Sequence, residues 1–461
     1  MTAPLFIFLL SGFAMIIVSF LRRNFLLSAM ITGIFALAIA IFSIFIPMDQ
    51  ALKVLGLSMR FDSRWIILGR SFLLDANNRA SVGFIFLSGG LILLGAWTAK
   101  PERMFFPLGI GTLTLVAASL MIEPFLFAAI FIELAAITAS IMLSSRKYGK
   151  KRGGLRLLVL YTMAMLAILL VGWILDVNQQ EFDKVGLSIQ ATLLLGFGFA
   201  VLLSIPPFHS WIPIATGDNH SFSWPFIVIV LQSAGFFFTI RFITGYVGQN
   251  ENISIYETLR TVGSIMAIVG AIWAMVQVDL RKIASYALIA DMGVMLIAFG
   301  IGTKEGLQLA LILTVARVIS VVCLSQGLNK LPFYISGKPY SNGEIEEKPS
   351  ELNVAAMLVG MFSLAGLPLT AGFPGRWGVI DMIASLDQFA WIALLSSMII
   401  LGYTTFRIAG SLFKNLDRSA KQKSKRIEKV FLWVGILLPL IIGFLPQVIF
   451  PWILKIMEGI A

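Results

Sequence analysis

The sequence has little charge, one cysteine and two histidines. Of its 461 residues, 13% are charged and 58% are hydrophobic. So little charge excludes a soluble domain, and the mean hydropathy of +0.91 indicates that lipid is the main solvent of this chain. A single cysteine, Cys323, excludes an intramolecular disulfide and a cysteine-ligated cluster.

Motifs for nucleotide binding are also missing. There is no Rossmann glycine fingerprint and no P-loop, so we expect no cofactor in this chain. The net charge of +11 does not indicate a nucleic-acid partner. Its basic residues cluster in loops between apolar runs, where they orient membrane helices. The expected surroundings are the lipid bilayer and other membrane proteins.

Apolar runs of bilayer length follow one another along almost the whole chain, which predicts an all-α membrane protein with about fourteen transmembrane helices. The spans are expected near 4–20, 24–47, 81–98, 103–122, 124–145, 157–175, 188–205, 224–246, 258–277, 283–301, 305–330, 353–382, 388–413 and 429–447. Charged and apolar residues alternate in 48–80. We expect that segment outside the membrane, as a short hairpin or an interfacial helix.

The loops carry a charge asymmetry that predicts the topology. Arg22 and Arg23 follow span 1, and runs of Lys and Arg fill 146–156 after span 5 and 414–429 after span 13. All three loops follow odd-numbered spans. The positive-inside rule therefore places these loops in the cytoplasm and both termini on the opposite side. The expected location is the inner (plasma) membrane of a prokaryote.

Glu133 is the most informative single residue. It lies in EPFLFAAIFIELAAITASIMLSS, with no other charge after the first residue. A carboxylate at the bilayer centre costs about 2.5–3.5 kcal/mol even on the lenient insertion scale. Such a residue indicates an ion or proton site that faces protein rather than lipid. A structural salt bridge, or a neutral acid held by hydrogen bonds, is the alternative. Asp291 in YALIADMGVMLIAFG is a second lone acid, in span 10.

Two spans are interrupted by their own residues. Pro206 and Pro207 interrupt span 7 in FAVLLSIPPFHSWIP, and Gly366 and Pro368 interrupt span 12 in SLAGLPLTAGFPGRW. Proline lacks an amide hydrogen and clashes with the preceding turn, so neither helix can continue. Broken backbone at membrane depth persists only where protein or a water-filled cavity satisfies its polar groups. Interruptions in corresponding parts of two halves indicate a transport site.

The acids and the breaks recur with similar spacing. Pro206 follows Glu133 at nearly the distance at which Pro368 follows Asp291. This predicts two inverted five-helix repeats, each with an acid in its second span and a break in its fourth. The expected division is 1–102 for helices 1–3 with the segment 48–80, 103–246 for the first repeat, 258–413 for the second, and 429–461 for a C-terminal helix.

Further charged residues lie at membrane depth or at its edge. Arginine keeps its proton at physiological pH, so Arg317 and Arg376 can set a field or pair with an acid but are poor proton carriers. For Arg241 and Arg407 we expect snorkelling to an interface. His209 follows the double proline directly. It can act as a proton relay or as a hydrogen-bonding group at the break.

The motifs together resemble the antiporter-like membrane subunits of respiratory complex I and the related Mrp antiporters. The most specific stretches are FLFAAIFIELAAI, PPFHSWIP, DLRKIASYALIADMG and SLAGLPLTAGFPGRW. By this resemblance Glu133 corresponds to the family's span-5 glutamate, His209 to the motif after span 7, and Arg376 to the span-12 lysine. The PFH spelling, the short length and the missing C-terminal lateral helix are most similar to the quinone-proximal (N-type) subunit.

The departures from the family pattern affect the proton path. The family's span-7 lysine falls on Leu202 and its span-8 lysine near Gln232, and neither residue can carry a proton. The span-10 histidine is Asp291. Either the subunit is a scaffold and charge relay, or protons pass by Glu133, Asp291 and water.

The resemblance implies a membrane-arm subunit of a complex I-like, redox-driven proton pump, of the NADH (or ferredoxin):quinone oxidoreductase type, with impaired or altered translocation. Its partners would be the other membrane-arm subunits, and the redox chemistry would reside on other subunits of the assembly. A subunit of an Mrp-type cation/proton antiporter and a purely structural membrane-arm subunit are the alternatives.

Overall fold

The computed structural model describes residues 1–54, 57–67, 69–144, 152–177, 189–217, 220–244, 253–331, 350–414 and 426–457. The chain divides into two compact units. The first is Met1–Asn219 with Phe226–Gly245, and the second is His220–Pro225 with Tyr246–Gly459. Each unit is a bundle of helices that pack on their neighbours in sequence.

The earlier helices are α1 (Ala3–Leu21), α2 (Phe25–Phe45), α3 (Arg79–Gly95), α4 (Phe105–Met121), α5 (Ala128–Leu143), α6 (Arg152–Val177), α7 (Ile189–Leu202), α8 (Trp211–Gly217) and α9 (Ser223–Phe242). The later ones are α10 (Ile253–Val276), α11 (Leu280–Phe299), α12 (Lys304–Leu328), α13 (Glu351–Ala365), α14 (Gly372–Ile383), α15 (Gln388–Lys414), α16 (Arg426–Phe444) and α17 (Pro446–Met457).

The helices have the length and composition that a bilayer requires. Within the described ranges, 10 helices are long and apolar enough to cross a membrane, and five shorter apolar helices accompany them, at 105–121, 128–143, 190–202, 351–365 and 446–457. This confirms a helical, multi-pass membrane protein. The number of fourteen spans and the inverted repeats remain predictions.

The segment 48–80 contains strands instead of an interfacial helix. Strands β1 (Ala51–Val54) and β2 (Leu57–Arg60) form one antiparallel hairpin. Strands β3 (Arg64–Ile67) and β4 (Arg70–Leu73) form a second, which β5 (Ile122–Glu123) extends. Gly69 has φ +73° in the β3–β4 turn, a conformation that glycine adopts without strain. The expected hairpin is therefore correct, and strand pairing attaches it to the residues between α4 and α5.

Two predicted helix starts and the predicted C-terminal helix differ from the structure. Helix α6 begins at Arg152 rather than near 157, so Arg156 lies on a helix instead of in a loop. Helix α16 begins at Arg426 and includes Lys429. The predicted single C-terminal helix 429–461 contains two helices that meet at Leu445. Pro446 starts the second, because proline at the first helical position lacks only an amide that would be unbonded there.

Candidate functional site

Glu133 lies on the middle of α5, where α5 packs against α6. Its Oε1 accepts a hydrogen bond of 2.6 Å from Thr162 Oγ1 on α6. Its Oε2 is buried and forms no hydrogen bond with any residue that the structure describes. One oxygen of this carboxyl is therefore hydrogen-bonded within the described part of the chain, and the other is buried without a described partner.

The surroundings of Glu133 are partly open. The side chain as a whole is of intermediate burial. On α5 the exposed residues are Ile130, Leu134, Ile137 and Ile141. Ile130 and Ile137 lie three residues before and four residues after Glu133, on the same face of the helix. On α6, Val159 and Met163 are exposed beside Thr162. Glu133 therefore lies at the border between the α5–α6 contact and an apolar outer face.

The first break is the interval between α7 and α8. Helix α7 ends at Leu202, Ser204 has φ +57°, and a short 3₁₀ turn, Phe208–Ser210, precedes α8. Trp211 Nε1 donates to Ser204 Oγ at 3.1 Å. A helix that ends inside a bundle exposes carbonyls that need donors.

Side chains from two neighbouring helices supply such donors. The Tyr161 hydroxyl on α6 donates to the Leu202 carbonyl at 3.4 Å, and Gln232 Nε2 on α9 donates to the Leu203 carbonyl at 3.3 Å. Leu202 and Gln232 are both buried, at 1% exposure. The two positions that the resemblance assigns to lysines are thus neighbours at the break. One presents a backbone acceptor and the other an amide donor.

His209 lies in the 3₁₀ turn between the two half-helices of the first break. It is of intermediate burial, and Arg156 on α6 acts on it electrostatically. His209 therefore lies at the break and near the first turns of α6, which carry Arg156. Glu133 instead bonds to Thr162, farther along α6.

The second break lies between α13 and α14 and is built around Arg376. Helix α13 ends at Gly366, which has φ +73°. The Arg376 guanidinium donates to three backbone carbonyls: Leu364 at 2.7 Å, Gly372 at 3.0 Å and Ser363 at 3.4 Å. Ser363 and Leu364 lie in the last turn of α13, whose carbonyls lack intrahelical donors, and Gly372 lies in the first turn of α14. Arg376 therefore binds both sides of the break.

Asp291 on α11 lies between two arginines. Its Oδ1 forms an ion pair with Arg376 Nη2, and its Oδ2 is 3.7 Å from Arg317 Nε on α12. The side chains of all three are 2% exposed. Arg317 also contacts the sulfur atoms of Met292 and Met295. Among the described residues, one carboxylate thus faces two guanidiniums.

The structure therefore brings three of the predicted site residues together: Asp291, Arg317 and Arg376. Glu133 lies in the first compact unit, and its hydrogen bond there is with a residue that sequence reasoning missed. Thr162 and Tyr161 are adjacent on α6 and contact Glu133 and the first break, respectively. The only sequence signal was a pair of hydroxyl residues within an apolar span.

Arg241 and Arg407 donate hydrogen bonds to backbone carbonyls of neighbouring helices. Arg241 Nη1 donates to the Leu120 carbonyl at the end of α4, at 2.7 Å. Arg407 donates to the Met275 carbonyl at 2.5 Å and to the Gln277 carbonyl at 2.9 Å, at the end of α10. The snorkelling prediction is incomplete, because both guanidiniums bind the last carbonyls of a neighbouring helix, where positive charge is favourable.

Buried charges beside interrupted helices in a multi-pass bundle define a class, the integral membrane proteins built like ion transporters. Within that class the chain belongs to the family described as NADH:quinone oxidoreductase/Mrp antiporter, TM, whose model matches residues 130–402. The match covers more than half of the chain and includes Glu133, both breaks, Asp291 and Arg376.

A putative antiporter subunit, mnhD2, of Staphylococcus aureus (strain JH9) is 26% identical over 202 residues, which are 43% of this chain and 40% of that protein. The chain thus aligns with less than half the length of this curated relative. Three solved structures share the fold over nearly the full length of both chains.

The first is the membrane-bound sulfane sulfur reductase, an archaeal respiratory membrane complex, with a TM-score of 0.78, 16% identity and coverage of 99% of this chain and 97% of the other. The second is the Mrp complex from Dietzia sp. DQ12-45-1b, with a TM-score of 0.76, 15% identity and coverage of 99% of this chain and 96% of the other. The third is respiratory complex I from Thermus thermophilus with bound NADH, with a TM-score of 0.74, 18% identity and coverage of 98% of this chain and 100% of the other.

Proposed function

We propose that this chain is a membrane-arm subunit of a complex I-like, redox-driven proton pump, and that Glu133 is its proton-exchanging group. Family membership supports the type of assembly. The observation that carries the proposal is the environment of Glu133. A lone acid in an apolar helix has one oxygen bonded to Thr162 and a second, buried oxygen that bonds to no described residue. An acid poised in this way can exchange a proton with water or a partner group.

Proton movement through this subunit is altered from the family pattern. Leu202 and Gln232 cannot carry a proton, and both take part in hydrogen bonds that satisfy the first break. Asp291 is bound to Arg376, which cannot release a proton. In this proposal protons pass by Glu133 and water, and the Asp291 cluster sets a local field.

The remaining parts of the proposal concern the surroundings. The partners are other membrane-arm subunits. The redox cofactors belong to other subunits of the assembly, and this chain holds none. The location is a prokaryotic inner membrane, with both termini on the non-cytoplasmic side. The Met1 amino group bonds to the Arg60 carbonyl at 3.2 Å. This contact supports a common side for the N-terminus and the segment 48–80, as the positive-inside rule predicts.

A subunit of an Mrp-type cation/proton antiporter is the second candidate. The alignment with the putative antiporter subunit of S. aureus favours it. Purification of the intact assembly separates the two candidates. Flavin and iron–sulfur centres that co-purify with this chain support the redox pump, whereas gradient-driven cation exchange without them supports the antiporter.

The test of Glu133 uses membrane vesicles that contain the assembly. In Glu133→Gln we expect normal assembly and loss of proton translocation, because the amide has the size of the acid but cannot release a proton. Glu305→Gln is the matched control, since Glu305 is an exposed acid in the first turn of α12. If Glu133→Gln assembles and pumps like the wild type, the chain is a structural subunit and our proposal is wrong.

A further inference from the structure

Thr162 has two hydrogen-bond acceptors within reach of one hydroxyl hydrogen. Its Oγ1 is 2.6 Å from Glu133 Oε1 and 2.9 Å from the Leu158 carbonyl one turn earlier on α6. A threonine hydroxyl has one donor and can also accept. It therefore cannot donate to both groups at once, and the choice depends on whether Glu133 carries a proton.

We propose that Thr162 is a positioning residue whose hydroxyl follows the protonation state of Glu133. When Glu133 is ionised, the Thr162 hydrogen points to Oε1. When Glu133 is protonated, the carboxyl donates its hydrogen to Thr162 Oγ1, and the Thr162 hydrogen turns to the Leu158 carbonyl. No proton is transferred to or from Thr162 in either state, because only its own hydrogen rotates.

Both states keep the carboxyl in the same place. The distance of 2.6 Å lies within the range of about 2.5–2.7 Å that is usual for a hydroxyl donating to a carboxylate. The protonated state forms an unbroken chain from the carboxyl through the hydroxyl to a helix carbonyl. The glutamate side chain therefore keeps its hydrogen bond to Thr162 and need not change rotamer when it gains or loses a proton.

The two oxygens of Glu133 differ in their contacts. Oε2 is buried and bonds to no described residue. Oε1 is hydrogen-bonded to Thr162 in both states, as the acceptor when the carboxyl is ionised and as the donor when it carries the proton. Loss of the hydroxyl would free the carboxyl to rotate and would remove a hydrogen bond that is stronger to the ionised form than to the neutral form.

The inference rests on the proposed function of Glu133, and its test includes a readout that does not depend on transport. Infrared difference spectra of the intact assembly in lipid vesicles are recorded as a function of pH, and Glu133→Gln identifies the carboxyl band of Glu133. In Thr162→Val we expect that band to move to higher frequency, because the carboxyl loses its hydrogen-bond partner. We expect the titration midpoint of the band to move by about one pH unit.

Thr162→Ser keeps the hydroxyl and should reproduce the wild-type band and the wild-type pH profile of transport. Thr405→Val is the matched control. Thr405 is buried on α15 and donates to the carbonyl of Leu401 in its own helix at 2.8 Å, as Thr162 does to Leu158. Should Thr162→Val fail to assemble, Thr162→Ala removes the same hydroxyl without adding volume.

Each outcome is decisive. An unchanged band and midpoint in Thr162→Val, or equal changes in Thr162→Ser, would overturn the inference. The absence of any carboxyl band assigned to Glu133 would overturn it as well, because the protonated state would then not form. Normal transport by Glu133→Gln would instead overturn the proposed function, while the infrared comparison would still decide whether Thr162 follows the carboxyl.

Discussion

The Asp291 cluster allows a quantitative prediction about the second break. Asp291→Asn removes the carboxylate that contacts both Arg376 and Arg317, two buried arginines. The amide keeps the volume of the acid but cannot balance a guanidinium. Both arginines stay charged, because arginine keeps its proton even when buried. The substitution therefore removes a counter-ion that both arginines contact.

The expected loss in the free energy of unfolding follows from the contacts of Asp291 and Arg376. Removal of one partner from a buried ion pair costs about 3–5 kcal/mol, since the other charge is left uncompensated. Arg376→Gln should cost a similar amount. It removes the ion pair and also withdraws the donor from the carbonyls of Ser363, Leu364 and Gly372. Each hydrogen bond to a charged group is worth about 1.5–3 kcal/mol.

A double variant tests whether Asp291→Asn and Arg376→Gln lower the free energy of unfolding by breaking the same interaction. Because Asp291 and Arg376 contact each other, the double variant Asp291→Asn with Arg376→Gln should lose less than the two single variants together, by about 1–3 kcal/mol. Arg317→Gln should partly rescue Asp291→Asn, because it removes one of the two unbalanced charges. Arg317→Gln alone should cost less than Arg376→Gln, since the pair of Asp291 and Arg376 remains.

The assay is the free energy of unfolding of the purified protein in mixed micelles, titrated with a denaturing detergent. Asp381→Asn is the control, because Asp381 is an exposed acid on the same half-helix as Arg376. The reasoning is refuted if the losses for Asp291→Asn and Arg376→Gln are additive, or if Arg317→Gln makes Asp291→Asn worse.

Three further predictions concern other parts of the chain. Gly366→Ala should destabilise the second break by about 1–2 kcal/mol or more, because Gly366 has φ +73° and a Cβ there would overlap the Arg376 side chain; thermal unfolding measures this loss. Arg407→Gln should loosen the end of α10, which faster hydrogen exchange in 270–277 would reveal, whereas slow, wild-type exchange there would contradict a capping role. The hydrogen bonds from Ser63 hold the pKa of Asp49 below its usual value, so their stabilisation of the extramembrane segment is present above the ordinary pKa of aspartate and is lost as the pH falls through the lowered value. Hydrogen exchange of the Ser63 amide should therefore accelerate in acid, and Asp49→Asn should remove this pH dependence.

The sequence was sufficient to find Glu133 and the two helix breaks, but not the residues that contact them. Glu133 and the two breaks could be found because each violates a one-dimensional rule: an acid in an apolar run, or proline inside a span. The breaks are present where Pro206 and Gly366 predicted them. Helix starts were less accurate, since charged residues such as Arg152 extend a helix beyond its apolar part.

The partners of these residues could not be predicted in the same way. The spacing of 85 residues between Asp291 and Arg376 carries no periodic signal, and Thr162 is an ordinary residue of an apolar helix. Arg241 and Arg407 were expected at an interface on grounds of charge alone. Their carbonyl acceptors, 121 and 132 residues away, depend on how the helices pack.

The sequence by itself determined that this chain is an integral membrane protein, that two of its helices must break, and that an acid lies within an apolar span. These properties follow from the transfer energies of single residues and from the chemistry of proline, which act locally. The tertiary structure decided which groups satisfy the broken helices and which hydroxyl meets Glu133. Hydrogen bonds and ion pairs form only when packing brings atoms to within a few ångströms, and no local pattern encodes that approach.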